Sequence, residues 1–288
     1  MLSGFELDLP DTLVGVLDLI ADGRGTPAVP LAGGTSLIVD MRARRTMPNA
    51  VVWLGKIPEL RGIQVTQDHV RLGPCTTVSD ILNSDELAGS GVSLVRAAEA
   101  FGGQMVRNAA TVAGNIACNS PASDLVPPLM ALDAEVILES RSGSRTVALD
   151  RYFTGYKEDV RRTDELITGI SWKRQEESSV DLFHKLARRK GDAITVVGVA
   201  VNMAVSDGTC MRARIALGAV APTVLRAKRA ESMLEGETLT PGLIEAAARQ
   251  ATEEASPIDD VRASATYRRH GIQVLTARLL TQAWGRLT

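Results

Sequence analysis

Two short stretches of this sequence carry residue types suited to capturing an anion with the polypeptide backbone. In "VPLAGGTSLI", Val29 to Ile38, an apolar strand runs into Gly33 and Gly34, then Thr35 and Ser36, then an apolar helix starting near Leu37. The glycines remove the Cβ atoms that would block close approach, and they permit positive φ. The hydroxyls add donors, and the helix N-terminus adds a favourable partial charge. In "TVAGN", Thr111 to Asn115, a hydroxyl, a glycine beside a small residue and an amide side chain recur. Two such loops could embrace a diphosphate from opposite sides, so that a chain with no local excess of Lys or Arg binds a dinucleotide.

Spacing alone leaves the matter open, because either stretch by itself is more often a tight turn with a capped helix than a ligand site. Two common nucleotide motifs are excluded. No GxGxxG opens a helix, which disfavours a Rossmann site, and no GxxxxGK[ST] is present, which disfavours a P-loop.

Other chemistries find little support. The 32 Lys and Arg against 34 Asp and Glu give a net charge of −2, which provides no basic field for nucleic acid or an anionic membrane. Cys75, Cys118 and Cys210 are scattered, without CxxC spacing, so a zinc or iron–sulfur site made by this chain is not expected. Their odd number fits a reducing compartment. Cys118 reads as a small buried thiol. His69, His184 and His270 have no catalytic partner at informative spacing. The beginning, "MLSGFELDLPDTL", lacks a basic n-region and an apolar h-region, and no apolar run approaches the ~20 residues that span a bilayer. The expected location is cytoplasmic.

The elements that must position the two loops follow from periodicity. Thr12 can cap a helix with Leu13, Val16, Leu17 and Ile20 on one face and Gly23 as its stop. Strands are expected at "PAVPLAGG" and "AVVWLG", and a hairpin at "IQVTQDHVRLG". Helices are expected at "TVSDILNSDEL" and "SLVRAAEAFGG". From Gln104 to Pro128 the pattern breaks into a long loop of polar and small residues, more often functional than idle at that length. Strands follow at "AEVILES", "RTVALD" and "DELITGISW". A boundary falls in the polar run "KRQEESSV", around residues 173–180. Beyond it, two strands joined at Ser206-Asp207-Gly208 precede three helices, the last being "IQVLTARLLTQAWGRL". The class is α+β.

The two loops, together with "SPASDLVPPLMALDAEV", "FHKLARRKGDA", "RIALGAVAPTVLRAKRAE" and "ATYRRHGIQVLTARLL", resemble the flavoprotein subunits of the molybdenum hydroxylases. That group includes the medium subunit of aerobic carbon monoxide dehydrogenase and the FAD domain of xanthine dehydrogenase. The resemblance implies a PCMH/VAO-type FAD-binding domain over residues 1–176, with subdomains of about 1–55 and 56–176. A smaller antiparallel-sheet-plus-helices domain follows over 177–288. It also implies a set of cofactor contacts. Ala32, Gly33, Gly34, Thr35, Ser36 and Leu37, with Thr111, Val112, Ala113, Gly114 and Asn115, match the pyrophosphate-binding loops. Ser120 and Asp124 match positions at the adenosine half, where an Asp suits ribose hydroxyls. Phe101, Ile167 and Lys185 match positions at the isoalloxazine ring, where the Lys185 ammonium would stabilise a reduced, anionic flavin.

The sequence departs from the family pattern at Ala113, where a glycine is usual and where alanine requires negative φ. It departs again at Ala193, where carbon monoxide dehydrogenase has an aromatic residue. On this resemblance the chain binds FAD and carries no catalytic residue for the organic substrate. Molybdopterin would sit on a large partner subunit and [2Fe–2S] clusters on a small one, in a dimer of heterotrimers. Electrons would pass through FAD to NAD, a quinone, a cytochrome or oxygen. The alternatives are a self-contained FAD-dependent reductase and a flavin-free scaffold that keeps the fold.

Overall fold

In the computed structural model, which describes residues 4–21, 28–175 and 178–287, the chain begins with a small parallel sheet. Strand β1 (Glu6–Asp8) is followed by helix α1 (Leu13–Ala21), β2 (Val29–Leu31), α2 (Leu37–Arg42) and β3 (Ala50–Trp53). The sheet order is β1-β3-β2, and β3 is parallel to both neighbours. Thr12 caps α1 as its sequence implies, its Oγ1 accepting from the Gly15 N–H at 3.1 Å. Val16, Leu17 and Ile20 of α1 pack on Ala50, Val52 and Leu54. Gly23, expected to stop this helix, and residues 176–177 of the expected linker lie outside the described residues.

The next unit is an antiparallel sheet with helices against it. It contains β4 (Ile63–Val65), β5 (His69–Leu72), α3 (Val78–Leu82), α4 (Val92–Glu99), α5 (Gln104–Ala109), α6 (Val112–Ala117) and α7 (Val126–Ala131). These lead into β6 (Glu135–Ser140), β7 (Gly143–Ala148), the small hairpin β8 (Phe153–Gly155) and β9 (Glu158–Asp159), and β10 (Leu166–Lys173). The five strands of the main sheet are ordered β4-β5-β10-β6-β7. The long loop expected from Gln104 to Pro128 is a correction, because α5, α6 and the start of α7 occupy much of it. Each of these helices has only six residues, too few for a visible 3.6-residue period. They are set instead by end signals, such as the Thr111 cap of α6 and the Pro127-Pro128 pair opening α7.

The final unit contains β11 (Ser179–Ala187), β12 (Thr195–Ser206), β13 (Thr209–Gly218), β14 (Leu225–Arg226), α8 (Lys228–Leu234), α9 (Pro241–Glu254) and α10 (Ala265–Leu287). The strands pair antiparallel in chain order. Strand β12 is buried along all but its last residue, and its sequence explains how. Val197, Val199, Val201 and Met203 point one way, into a core shared with α8, α9 and α10. Small Gly198 and Ala200 point the other way, and Ala200 joins the core of the preceding unit. Thus α4 packs on β11, and α7 on β12 and β13, so one sheet serves two hydrophobic cores. Helix α10 begins seven residues earlier than the apolar period suggests, because its first two turns carry Arg268, Arg269 and His270. Strands β1, β8, β9, β11 and β14 were not signalled as strands by their short or mixed patterns. Among the described residues no helix is long and apolar enough to cross a membrane.

Arg268 fastens this unit. Its side chain is 2% exposed and donates to Val196 O at 2.6 Å, Ala219 O at 2.8 Å and Asp260 Oδ1 at 2.7 Å. Ala219 N in turn donates to Pro121 O at 2.7 Å, in the turn leading to α7. Arg268→Met keeps the apolar stem and strands the buried Val196 carbonyl, the part-buried Ala219 carbonyl and Asp260, so we expect a loss of about 3 kcal/mol in urea-unfolding free energy.

Candidate functional site

The first loop is built by the end of the parallel sheet. Leu54 N donates to Leu31 O at 2.9 Å, which anchors the exit of β2, and the chain then turns through Gly33 and Gly34 into α2. Gly34 has φ +72°, the left-handed conformation that glycine adopts freely. Gly33 is required for a different reason from the one its sequence suggested. A Cβ there would lie 1.7 Å from the Ala109 carbonyl oxygen. The missing side chain therefore admits the backbone of the second loop, and the two loops touch directly.

The second loop is held by a short bridge in which Val78 N donates to Ala110 O and Val112 N to Thr76 O. Ala113 keeps ordinary helical backbone in α6, so its methyl group brings no strain.

Both loops line one cavity of about 520 Å³, a size usual for a small-molecule or cofactor site. Ala32, Gly33, Gly34, Thr35, Ser36, Leu37, Phe101, Thr111, Ala113, Gly114, Asn115 and Ile167 all lie on its wall. Val112 does not: it is fully buried in the core beneath. The two loops contribute differently. Among the described residues, the N–H groups of Gly33, Gly34, Thr35, Ser36 and Leu37 have no acceptor. That leaves five successive donors beside a cavity, partly or fully open to solvent, as the N–H groups leading into a helix commonly are, and so free for an anionic ligand. The N–H groups of Val112, Ala113, Gly114 and Asn115 are already taken, by Thr76 O, Pro74 O, Thr111 Oγ1 and Thr111 O. The second loop therefore offers side chains: the Thr111 hydroxyl proton and the Asn115 amide, whose Oδ1 is fixed by the Leu125 N–H at 3.2 Å.

Asp124 and Lys185, expected at opposite ends of a dinucleotide, form one ion pair of 2.7 Å. Both are mostly buried, and neither lines the cavity. Asp124 also accepts from the Thr195 hydroxyl. Its carboxyl is pushed above the usual range by burial, against the pull of Lys185 and Thr195. Both oxygens of Asp124 are thus occupied, by Lys185 and Thr195, and it stands with Lys185 rather than on the cavity wall. Ser120 lies in the neighbouring turn, its hydroxyl accepting from Ala122 N at 3.2 Å.

Strand β11 grips α4 at both ends. Asp181 Oδ2 accepts from Ser93 N at 2.9 Å at the helix N-terminus, and Lys185 Nζ donates to Ala100 O at 3.0 Å at its C-cap. The four-residue spacing spans about 13 Å of strand and matches the ~12 Å of an eight-residue helix. The charges also complement the helix dipole. Phe101, the next residue, is thereby fixed on the cavity wall.

Sequence reasoning missed Asp40, Asn119, Lys157, Asp159 and Arg161, which also line the cavity. Arg161 grips Asp159 through Nε–Oδ1 at 3.0 Å and a second nitrogen to Oδ2 at 2.9 Å. Burial raises the Asp159 pKa, but the hydrogen bonds from Arg161 and Asn119 outweigh it and hold the carboxyl below its ordinary value. No spacing in "GYKEDVRR" announces these roles. Cys118, expected to be buried, is only partly buried on the same wall. Burial pushes the Cys75 and Cys210 thiols up to about 11, which leaves them unreactive at neutral pH.

With this geometry established, comparisons show what the chain is similar to. Residues 3–172 match the family described as the FAD binding domain in molybdopterin dehydrogenase. Residues 182–283 match the CO dehydrogenase flavoprotein C-terminal domain. The carbon monoxide dehydrogenase medium chain of Hydrogenophaga pseudoflava is 33% identical, with 98% of each chain covered. The nicotinate dehydrogenase FAD-subunit of Eubacterium barkeri is 31% identical over 96% of this chain and 94% of its own. A solved structure of the Hydrogenophaga pseudoflava carbon monoxide dehydrogenase, lacking the Mo-pyranopterin moiety, superposes with a TM-score of 0.95 over all of both chains, at 33% identity.

Two outcomes test the site's construction. Gly33→Ala should cost more stability than Gly34→Ala, which pays only about 1–2 kcal/mol for its left-handed backbone. Thermal unfolding of the two variants side by side measures this. Asp181 has a pKa raised to about 6, chiefly by burial, against hydrogen bonds from Ser93 and the charge of Arg212. Between about 4, the unfolded value, and 6, the folded chain holds the extra proton, so this group's contribution to stability falls as pH rises. Asp181→Asn should therefore raise the melting temperature at pH 8 and leave it nearly unchanged at pH 4.5.

Proposed function

This chain belongs to the molybdopterin dehydrogenase family as one of its FAD-binding subunits, and from that premise we propose that it is the electron-transfer subunit of a heterotrimeric molybdenum hydroxylase. The observation that carries this reading is the row of five acceptor-less N–H groups from Gly33 to Leu37 on the cavity wall. A diphosphate supplies the acceptors that this row lacks. Phe101 and Ile167, on the same wall, offer apolar surface for a ring system. These residues fit FAD. Gly33 to Leu37 would hold its diphosphate, with the Thr111 hydroxyl and the Asn115 amide completing the cradle. When bound, FAD supplies a carrier that takes up electrons singly or in pairs.

The chain's own part is to bind, orient and exclude water. Asp181 and Lys185 fix α4, and through it the Phe101 wall. Because Asp124 compensates the Lys185 ammonium, Lys185 acts on the site chiefly by holding Ala100 and the turn that carries Phe101. Substrate oxidation belongs to a molybdopterin-binding large subunit and electron delivery to a [2Fe–2S] small subunit, arranged as a dimer of heterotrimers in the cytoplasm. The relatives named for carbon monoxide and for nicotinate pair the same kind of subunit with unlike substrates, which supports placing substrate choice on another chain. The acceptor is an external one: NAD, a quinone, a cytochrome or oxygen.

A visible absorption spectrum of the purified chain, followed by identification of the released flavin, tests the reading. We expect about one FAD per chain, one for the cradle between the two loops. A colourless protein that takes up no FAD, even when assembled with its partner subunits, would overturn it in favour of a flavin-free scaffold.

A further inference from the structure

The hairpin of β8 and β9 contains a residue that its backbone does not favour. Gly155 pairs with Glu158, so Tyr156 and Lys157 form a two-residue turn. Lys157 has φ +63°, the second central position of a turn at which glycine or asparagine is the ordinary occupant. Lysine there carries a steric penalty that glycine escapes, which points to a use for its side chain. That side chain lines the cavity, and its Nζ donates to Cys118 O at 2.6 Å. Cys118 is the C-cap of α6 and lines the same cavity, as does Asn119, which is itself left-handed at φ +47°.

The charges on this wall separate the two cations. Arg161 is neutralised by Asp159 through two hydrogen bonds. Lys157 has no carboxylate partner among the described residues; its only acceptor is a neutral carbonyl. A diphosphate entering this cavity brings two negative charges, and the row of N–H groups opposes them only with partial charge.

We propose that Lys157 is the counter-cation of the cofactor's diphosphate, exchanging the Cys118 carbonyl for a phosphate oxygen when the ligand binds. The inference rests on the FAD reading above, and it adds a binding residue outside both glycine loops. The Lys157 turn tolerates its unfavourable backbone because the ammonium is delivered there.

The test compares Lys157→Met, Lys157→Gly and Lys157→Arg in the full chain. Dissociation constants for FAD and for riboflavin, which lacks phosphate, are measured at low and high salt, with thermal midpoints of the ligand-free proteins. The Met and Gly variants should bind FAD about tenfold more weakly, with riboflavin unchanged and a flatter salt dependence for FAD. Arg should restore most of the affinity, and Gly should keep or raise the ligand-free midpoint. A Met variant that binds FAD like the wild type at both salts overturns the proposal. So does an equal loss of FAD and riboflavin with a lowered midpoint, which would make Lys157 a cap for α6 and nothing more. A wild-type chain that binds no FAD, even when assembled with its partner subunits, overturns the FAD reading and carries this inference down with it.

Discussion

Lys185 brings one ammonium group, 5% exposed, to within 2.7 Å of Asp124 and 3.0 Å of the Ala100 carbonyl. Three segments meet there: strand β11, the end of α4, and the turn between α6 and α7. A charge so buried is tolerable only when it is paired and fully hydrogen-bonded, so the geometry of all three is fixed together. Asp181, four residues earlier, repeats the arrangement at the other end of α4 with the opposite charge. The cavity inherits its shape from this grip, since Phe101 follows Ala100 directly and Asn115 is tied to Leu125, the residue after Asp124.

Against that rigid side stands a loop made almost wholly of backbone. Its five unpaired donors are neutral, closely spaced and held by contact with Ala109. Rows of this kind recognise the shape of an anion and resist salt better than exposed lysines do. The second loop spends its own N–H groups on bonds to Pro74, Thr76 and Thr111. It is a buttress first, and a source of two side-chain contacts second.

The sequence made the long elements legible, together with the glycine loop. The hairpin of β12 and β13, with φ +49° at Asp207 and +76° at Gly208, follows from an Asp-Gly pair between apolar strands. The region from Gln104 to Pro128 was misread as loop because six-residue helices leave no period to detect. Gly33 was marked for the close approach that a missing Cβ permits, and its neighbour proved to be a carbonyl, a fact of tertiary approach that local sequence does not encode. Asp124 and Lys185 are 61 residues apart in the chain, and only the packing of β11 on α4 shows that they satisfy one another. Lys157 and Arg161 were invisible because their roles depend on a seven-residue hairpin and the residues just after it, with no apolar alternation.

The grip on α4 has a consequence for the order in which the chain is made. Asp124 and the Ala100 carbonyl leave the ribosome some sixty and eighty-five residues before Lys185, and until β11 arrives they have no counter-charge. The aromatic side of the cavity is therefore finished by a strand that belongs, by sheet membership, to the following unit. A boundary drawn where the sheets separate would part Lys185 from Asp124 and Ala100, and leave the turn that carries Phe101 without the strand that holds it.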